Sequence, residues 1–219
     1  MKKYFDILQK CPLFEQIQLS ELSGMLRCLD VKVLKVSKNQ TVFMEGDYPQ
    51  YVGIVLTGSV QVVREDYYGN RSIVASVEPS QLFAEAFACA GVDRMPVSVI
   101  ADCDGEVMML DCKRILTMCN NACEFHNQLV RNLLHIVAQK NLLLNQKIEI
   151  LSRRTTKEKL MTYLLGQAKR YKSNEFTIPY DRQALADYLG VERSAMSAEI
   201  GKLRREGVIE CRRSWFKLL

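Results

Sequence analysis

Hydrophobic and polar positions change period several times along the 219-residue chain. Over residues 12–29, Leu13, Phe14, Ile17, Leu22, Met25, Leu26 and Leu29 recur at helical spacing, with Ser20-Glu21 as a candidate helix start. The period then drops to two. Val31, Val33, Leu34 and Val36 mark one short strand, and Val42 with Met44 a second. Further strands are marked by Val52, Ile54 and Leu56; Val60 and Val62; Ile73, Ala75 and Val77; Val97, Val99 and Ala101; and Val107 and Met109. Turn residues separate them: Lys38-Asn39, Glu45-Gly46-Asp47, Thr57-Gly58-Ser59, Gly69-Asn70, Glu78-Pro79 and Asp104-Gly105. Seven or eight short strands so spaced predict a sandwich, jelly roll or barrel. From about Asn120 to Leu151 the pattern is helical, without Gly or Pro. Val130, Leu133, Val137, Asn141, Leu144, Ile148 and Leu151 form a heptad seam with one polar member. About 30 residues of helix span roughly 45 Å, more than a small domain covers. The seam therefore predicts pairing with a second copy, with Asn141 setting the register. Packing on the helix's own domain stays open as well, because Leu129, Leu134, Ile136 and Leu143 widen the apolar face.

Ser152-Arg153-Arg154-Thr155-Thr156 breaks that pattern, and either threonine can cap a new helix with Glu158 in its first turn. Leu160, Tyr163, Leu164 and Ala168 give this helix an apolar face. The chain accordingly divides into a β-rich domain at 1–119, a helix at 120–152 and a last domain at 153–219. The fold class is α+β. Within 182–201, Asp181 caps a short helix, Leu185 and Leu189 face inward, and Ala186 is small where two helices would cross. Gly190 permits a left-handed turn with Val191 beneath it. Met196, Ile200 and Leu203 would anchor a second helix to the core. This is the pattern of a helix-turn-helix. Its outer face carries Arg193, Ser194, Ser197 and Ala198, groups able to approach base edges of double-stranded DNA. Arg182, Gln183, Lys202, Arg212 and Arg213 are candidates for phosphate contacts, and Arg204 and Arg205 lie beside them. Residues 207–210 and 214–218 read as two strands of a wing joined by Cys211-Arg212-Arg213.

Charge sharpens this picture. Residues 1–152 carry 15 Lys+Arg against 17 Asp+Glu, whereas residues 153–219 carry 15 against 8, so the basic surplus lies in the last third. A hydrophobic fraction of 48% with 25% charged residues excludes wholesale disorder. Leu142-Leu143-Leu144 ends at Asn145, so no apolar run reaches the roughly 20 residues of a membrane span. Met1-Lys2-Lys3-Tyr4-Phe5-Asp6 is not followed by the apolar core of a secretory signal, and the expected compartment is the cytoplasm. The eight cysteines are then read as reduced thiols.

With these pieces in this order, the chain resembles the family of the cyclic-AMP receptor protein and the fumarate–nitrate regulator. Glu45-Gly46-Asp47 followed by Tyr51-Val52-Gly53-Ile54-Val55-Leu56-Thr57-Gly58-Ser59-Val60 looks like that family's roll motif. The resemblance implies an N-terminal β-roll of jelly-roll type, a long dimerisation helix and a C-terminal winged helix-turn-helix. It also implies a bacterial transcription regulator that binds a palindromic operator as a homodimer, with RNA polymerase as a further partner and no membrane. In the family's cyclic-nucleotide members, a short helix N-terminus, a glutamate and an Arg-Ser pair hold the ribose and phosphate. Here the matching segment is Leu82-Phe83-Ala84-Glu85-Ala86-Phe87: Glu85 is kept, but Ala84 stands where glycine is usual. The Arg-Ser pair falls on Met95-Pro96, with Arg94 one residue off, and the purine-contacting Thr-Ser pair falls on Leu144-Asn145. A thioether and a proline ring cannot neutralise a buried phosphate, so cyclic AMP is not the expected effector. Phe83, Glu85, Phe87, Cys89, Arg94, Met95, Leu144 and Asn145 remain candidate pocket residues for another small molecule, or else they fill a closed core. Effector binding would change how the dimer helices pack and re-aim the reading heads at residues 152–156.

Other chemistries fit these residues less well. Cys119, Cys123 and His126 offer three ligands where structural zinc usually takes four. No metal site is assigned, although a redox-, haem- or metal-responsive regulator of the same fold remains the alternative. Thiol oxidation at Cys89 or Cys103 also stays open. A cupin-like metal oxygenase would want histidines clustered on strands, but His126 and His135 both fall in the long helix. An enzyme is not expected. A signalling subunit that uses the roll without DNA would leave the helix-turn-helix unexplained.

Overall fold

A computed structural model describes residues 2–65, 67–68, 71–117 and 124–219. They form two compact units, Met1–Gln139 and Lys140–Leu219. In the first unit, α1 (Phe5–Gln9) and α2 (Leu19–Cys28) precede β1 (Lys32–Val36), β2 (Thr41–Phe43) and β3 (Tyr51–Thr57). Next come β4 (Val60–Glu65), β5 (Arg71–Val77), β6 (Leu82–Phe83) and the short α3 (Glu85–Ala90). The unit closes with β7 (Ser98–Ala101), β8 (Gly105–Asp111), α4 (Cys112–Leu116) and the first turns of α5 (Glu124–Ser152).

The strands make two antiparallel four-stranded sheets, ordered β1-β8-β3-β6 and β2-β7-β4-β5. Their facing sides bury Val36, Val55, Val107 and Met109 from one sheet against Phe43, Val60, Val77, Val99 and Ala101 from the other. The β3–β8 pair is covered on its outer side too. Val52, Ile54, Leu56, Met108 and Leu110 point away from the roll interior and pack with Leu8, Leu13, Leu22, Leu26 and Leu129. Two covered faces explain why these strands read as continuous apolar runs rather than strict alternations. Gly53 is required on β3 because a β-carbon there would lie 2.1 Å from the Phe83 ring.

Several expectations change. The second helix starts at Leu19, not Ser20; the Glu21 carboxylate accepts from the Gln18 backbone N–H (3.4 Å). Strand β2 ends on the buried Phe43, and Met44, one residue beyond it, is 60% exposed; the register with β7 shifts between Thr41 and Phe43. In β5, Ile73 and Ala75 point outward and only Val77 is buried. Strand β5 lies at the edge of its sheet, and residues 72–76 are exposed on both faces, Val74 (58%) as well as Ile73 (60%), so no alternation of burial is left there. Helix α1 and the two-residue β6 are too short to leave a period and were not anticipated.

The second unit holds the end of α5, then α6 (Thr156–Tyr171), β9 (Glu175–Thr177), α7 (Arg182–Leu189) and α8 (Arg193–Arg205), closing on β10 (Ile209–Arg212) and β11 (Trp215–Leu218). Thr155 caps α6 reciprocally: its hydroxyl accepts from Glu158 N–H, and its own N–H donates to the Glu158 carboxylate, both at 3.1 Å. Leu160, Leu164, Phe176, Leu185, Leu189, Met196, Ile200, Leu203 and Phe216 make one core. Strand β9, not anticipated, pairs with β11 and completes a sheet ordered β10-β11-β9. Ile150 on α5 is buried in this same core. The last turns of α5 therefore belong to the second unit, whose boundary is Lys140 rather than residue 153. No described helix is long and apolar enough to cross a membrane.

Candidate nucleic-acid interface and roll pocket

Helix α7 begins at Asp181, whose carboxylate accepts from Ala184 N–H at 2.8 Å. It ends at Gly190, with φ 59° and ψ 52°, the left-handed geometry that favours glycine. Val191 N–H returns to the Ala186 carbonyl at 3.1 Å, which closes the turn. Helix α8 then divides its faces. Met196, Ile200 and Leu203 are buried, while Arg193, Ser194, Ser197 and Ala198 are exposed. Two lysines with no local signal in the sequence hold the turn from outside. Lys159 Nζ donates to the Gly190 carbonyl (3.2 Å). Lys147 on α5 donates to the Tyr188 carbonyl and lies 3.7 Å from the Tyr188 ring centroid. Burial, then the neighbouring Lys159, holds the Lys147 ammonium below the usual lysine pKa range. Carbonyls at the end of α7 attract cations, but contacts 41 residues apart leave no local pattern.

The phosphate candidates fall into two groups. Lys202, Arg212 and Arg213 are exposed; Lys202 lies 4.0 Å from the Glu206 carboxylate. Arg182 is half-buried instead. Its guanidinium carbon is 5.1 Å from the Phe216 ring centroid and its Nη2 is 3.5 Å from Cys211 Sγ. Gln183 donates to Asp187 at 2.9 Å. Both side chains thus have partners within the domain, and the half-buried Arg182 is held against the wing rather than presented with the exposed cations. The wing also turns one residue later than expected. Cys211 and Arg212 lie in β10, and the tip is Arg213-Ser214, with Arg213 at φ 54°.

In the first unit the candidate effector residues separate. Phe83 and Met95 are 2% and 1% exposed and fill the roll interior. Of the two readings open for them, a pocket or a closed core, their burial supports the closed core. Glu85 is buried, Phe87 and Cys89 are half-buried, and Arg94 is exposed. Met95 is fixed by its backbone, donating to Asp47 O (2.8 Å) and accepting from Gly46 N–H (2.9 Å). Ala84 keeps a left-handed backbone, φ 62°, without being glycine. These residues do not fit a cyclic nucleotide phosphate: the position matching the arginine is a buried thioether. Leu144 and Asn145 lie in the second unit, both exposed, and Asn145 donates to Asn141 at 2.7 Å. A shallow groove of about 300 Å³ lies elsewhere on the roll, lined by Thr41, Met44, Glu45, Val63, Glu65, Ser98 and Ile100.

The seam residues also divide. Leu133 is 2% exposed and belongs to the first unit's own core, and Val130 and Val137 are partly buried. Asn141, Leu144, Ile148 and Leu151 are exposed. Val130, Leu133 and Val137 thus lie on a face packed within the chain, the arrangement left open beside pairing, where Asn132 donates to Leu13 O (2.9 Å) and Glu15 O (2.8 Å). Cys119 and Cys123 lie outside the described residues. His126 is buried, and its Nε2 lies 2.9 and 3.0 Å from the Arg114 and Ile115 carbonyls, which makes that nitrogen a donor rather than a metal ligand.

A β-roll followed by a winged helix-turn-helix defines a class of transcription regulators. The model of the cyclic nucleotide-binding domain matches residues 33–122, and that of the Crp-like helix-turn-helix domain matches 158–219, well over half of the chain between them. The chain is 28% identical over 178 residues to the nitrogen fixation regulation protein FixK of Bradyrhizobium diazoefficiens, covering 79% of this chain and 72% of that one. It is 24% identical over 187 residues to the transcriptional activator protein FnrA of Stutzerimonas stutzeri, covering 80% and 71%. In fold it is similar to the catabolite activator protein of Thermus thermophilus, with a TM-score of 0.56 at 21% identity over 95% of this chain and 93% of that one. The chain belongs to the family of the cyclic-AMP receptor protein and the fumarate–nitrate regulator. Membership in a family of transcription regulators displaces the oxygenase reading.

Proposed function

We propose that two copies of this chain pair along the exposed apolar stripe of α5 and bind a two-fold symmetric DNA site, each placing α8 in a major groove. The division of α8 carries the reading: its buried face fixes the helix, and Arg193, Ser194, Ser197 and Ala198 are left free. Arg193 and Ser197 are the first base readers, then Ser194; Lys202, Arg212 and Arg213 meet phosphates. Half-sites lie about one helical turn apart. Leu144, Ile148 and Leu151, exposed and apolar at steps of four and three, support the pairing. The roll tunes DNA affinity through a signal other than a cyclic nucleotide, as the buried Met95 supports, and RNA polymerase is the further protein partner. The compartment is the cytoplasm.

A gel-shift assay on DNA upstream of the protein's own gene tests this. A complex is expected whose affinity falls steeply with salt; no complex under any condition rejects the reading. Arg193→Ala should cost about 1–3 kcal/mol and relax preference at one base, so an unchanged motif after random-site selection removes Arg193 from the base readers. Arg213→Ala should weaken all sequences alike and lower the salt slope by about one.

A further inference from the structure

The fold brings together two cysteines 23 residues apart: Cys89 on α3 and Cys112 at the start of α4, with their sulfurs 3.8 Å apart. Their exposures differ. Cys112 is 3% exposed within the core beside the β3–β8 sheet. Cys89 is half-buried and packs against that core from its margin. Cys28 and Cys103 are exposed, while Cys11 is buried and its thiol is pushed up to about 12 by desolvation. The hydrogen bond shared by the two sulfurs lowers the Cys89 pKa, against burial and the Glu85 carboxylate, and the same bond, followed by burial, raises that of Cys112. The thiolate is the reactive form of cysteine, and Cys89 is the sulfur of the pair that solvent and an oxidant can reach, with its pKa direction in accord. Helix α3 lies between two left-handed residues, Ala84 and Gly91. Closing the sulfurs from 3.8 Å to a bond of about 2.05 Å asks for side-chain rotation and a small shift of this short helix.

We propose that Cys89 and Cys112 form a peroxide-responsive dithiol, in which Cys89 is attacked first and Cys112 resolves it to a disulfide. The Cys89 thiolate attacks the terminal oxygen of a hydroperoxide, and the O–O bond breaks. The sulfur becomes a sulfenic acid and the peroxide leaves as an alcohol, or as water when the oxidant is hydrogen peroxide. The Cys112 thiol then attacks the sulfenic sulfur, the S–O bond breaks, and the departing hydroxide takes the Cys112 proton to leave as water. Two thiols and one hydroperoxide thus give one disulfide, one alcohol and one water. A thiol reductant reverses the change. The bridge would fasten α3 to the start of α4. Its effect on DNA affinity rests on the function proposed above; the chemistry itself does not.

The test uses the full chain, reduced, desalted and exposed to equimolar hydrogen peroxide, then alkylated and digested with trypsin without reduction. Cleavage leaves Cys89 alone in the peptide spanning 72–94 but puts Cys103 and Cys112 together in 95–113, so Cys103→Ser is run beside the unaltered protein. Both should yield the linked pair of peptides, two hydrogens lighter than their sum, and lose it with dithiothreitol. In Cys112→Ala, Cys89 should instead accumulate as its dimedone adduct. Absence of the link in both proteins, or its loss in Cys103→Ser, overturns the proposal, and neither result depends on the folding of a Cys112 variant. Oxidation should also change affinity for the upstream DNA by at least about fivefold, and Cys89→Ser should abolish that change. A disulfide that leaves affinity unaltered overturns the regulatory half alone. A disulfide in a protein that binds no DNA in either state rejects the proposed function and leaves the dithiol standing.

Discussion

The two halves of α5 carry similar apolar patterns and meet different surroundings. In the first half Leu129, Leu133 and Ile136 are 0%, 2% and 9% exposed, packed into the core beneath the roll sheet. In the second half Leu142, Leu143, Leu144 and Ile148 are 56%, 55%, 63% and 63% exposed, while Ile150 alone is buried in the core of the second unit. An apolar heptad therefore specifies a helix that wants a partner but not which partner it receives. The buried half serves the chain's own stability. The bare half presents a run of large aliphatic side chains to solvent, the kind of patch that marks an interaction surface.

Substitutions can break or sharpen that contrast. Leu133→Ala should have the largest effect on folding, about 2–5 kcal/mol by urea denaturation, because it empties a filled site in the core. A cost below about 1 kcal/mol would place Leu133 on a yielding surface. Leu144→Asp combined with Ile148→Asp should turn a dimer into a monomer in analytical ultracentrifugation while the helical circular dichroism signal persists; an unaltered dimer mass would put the interface elsewhere. Asn141→Leu should stabilise the pair by about 1–3 kcal/mol, by removing a polar group from the seam, and should admit other registers or larger assemblies. If neither the mass nor the stability changes, Asn141 lies outside the seam. Thr155→Ala should cost least, about 0.5–2 kcal/mol, by removing the cap just beyond α5. The cap has its own pH dependence. Backbone and side-chain hydrogen bonds from Thr155 hold the Glu158 carboxyl below its ordinary pKa. Its contribution is complete above the ordinary glutamate pKa and disappears as the pH falls through the lowered value. Glu158→Gln should flatten that part of the acid-unfolding curve.

The helix-turn-helix was the most legible part of the chain. Asp181, Gly190, Met196, Ile200 and Leu203 each do locally what their residue types favour, within one continuous stretch of chain. The roll was legible in its number of strands but less so in their facing. Met44 lies just past the end of β2, and Ile73 lies on the edge strand β5, exposed on both faces; where a strand ends and which strand is left at an edge depend on distant partners. Lys147, Lys159 and Asn132 were not singled out, since each bonds a carbonyl far away in sequence. Arg182 looked like a phosphate ligand by charge, yet it lies against Phe216 and Cys211, which only the folding of the wing brings near.

Residue order alone determined the kinds and succession of elements, the basic last third and the outward face of the reading helix, because periodicity, capping and charge act over a few neighbours. Tertiary structure decided which apolar faces find cover within the chain, which cations stay in solvent, that Met95 fills the roll, and that Cys89 touches Cys112. Those outcomes come from packing between segments far apart in the chain, where close fit in three dimensions selects among the surfaces each segment offers.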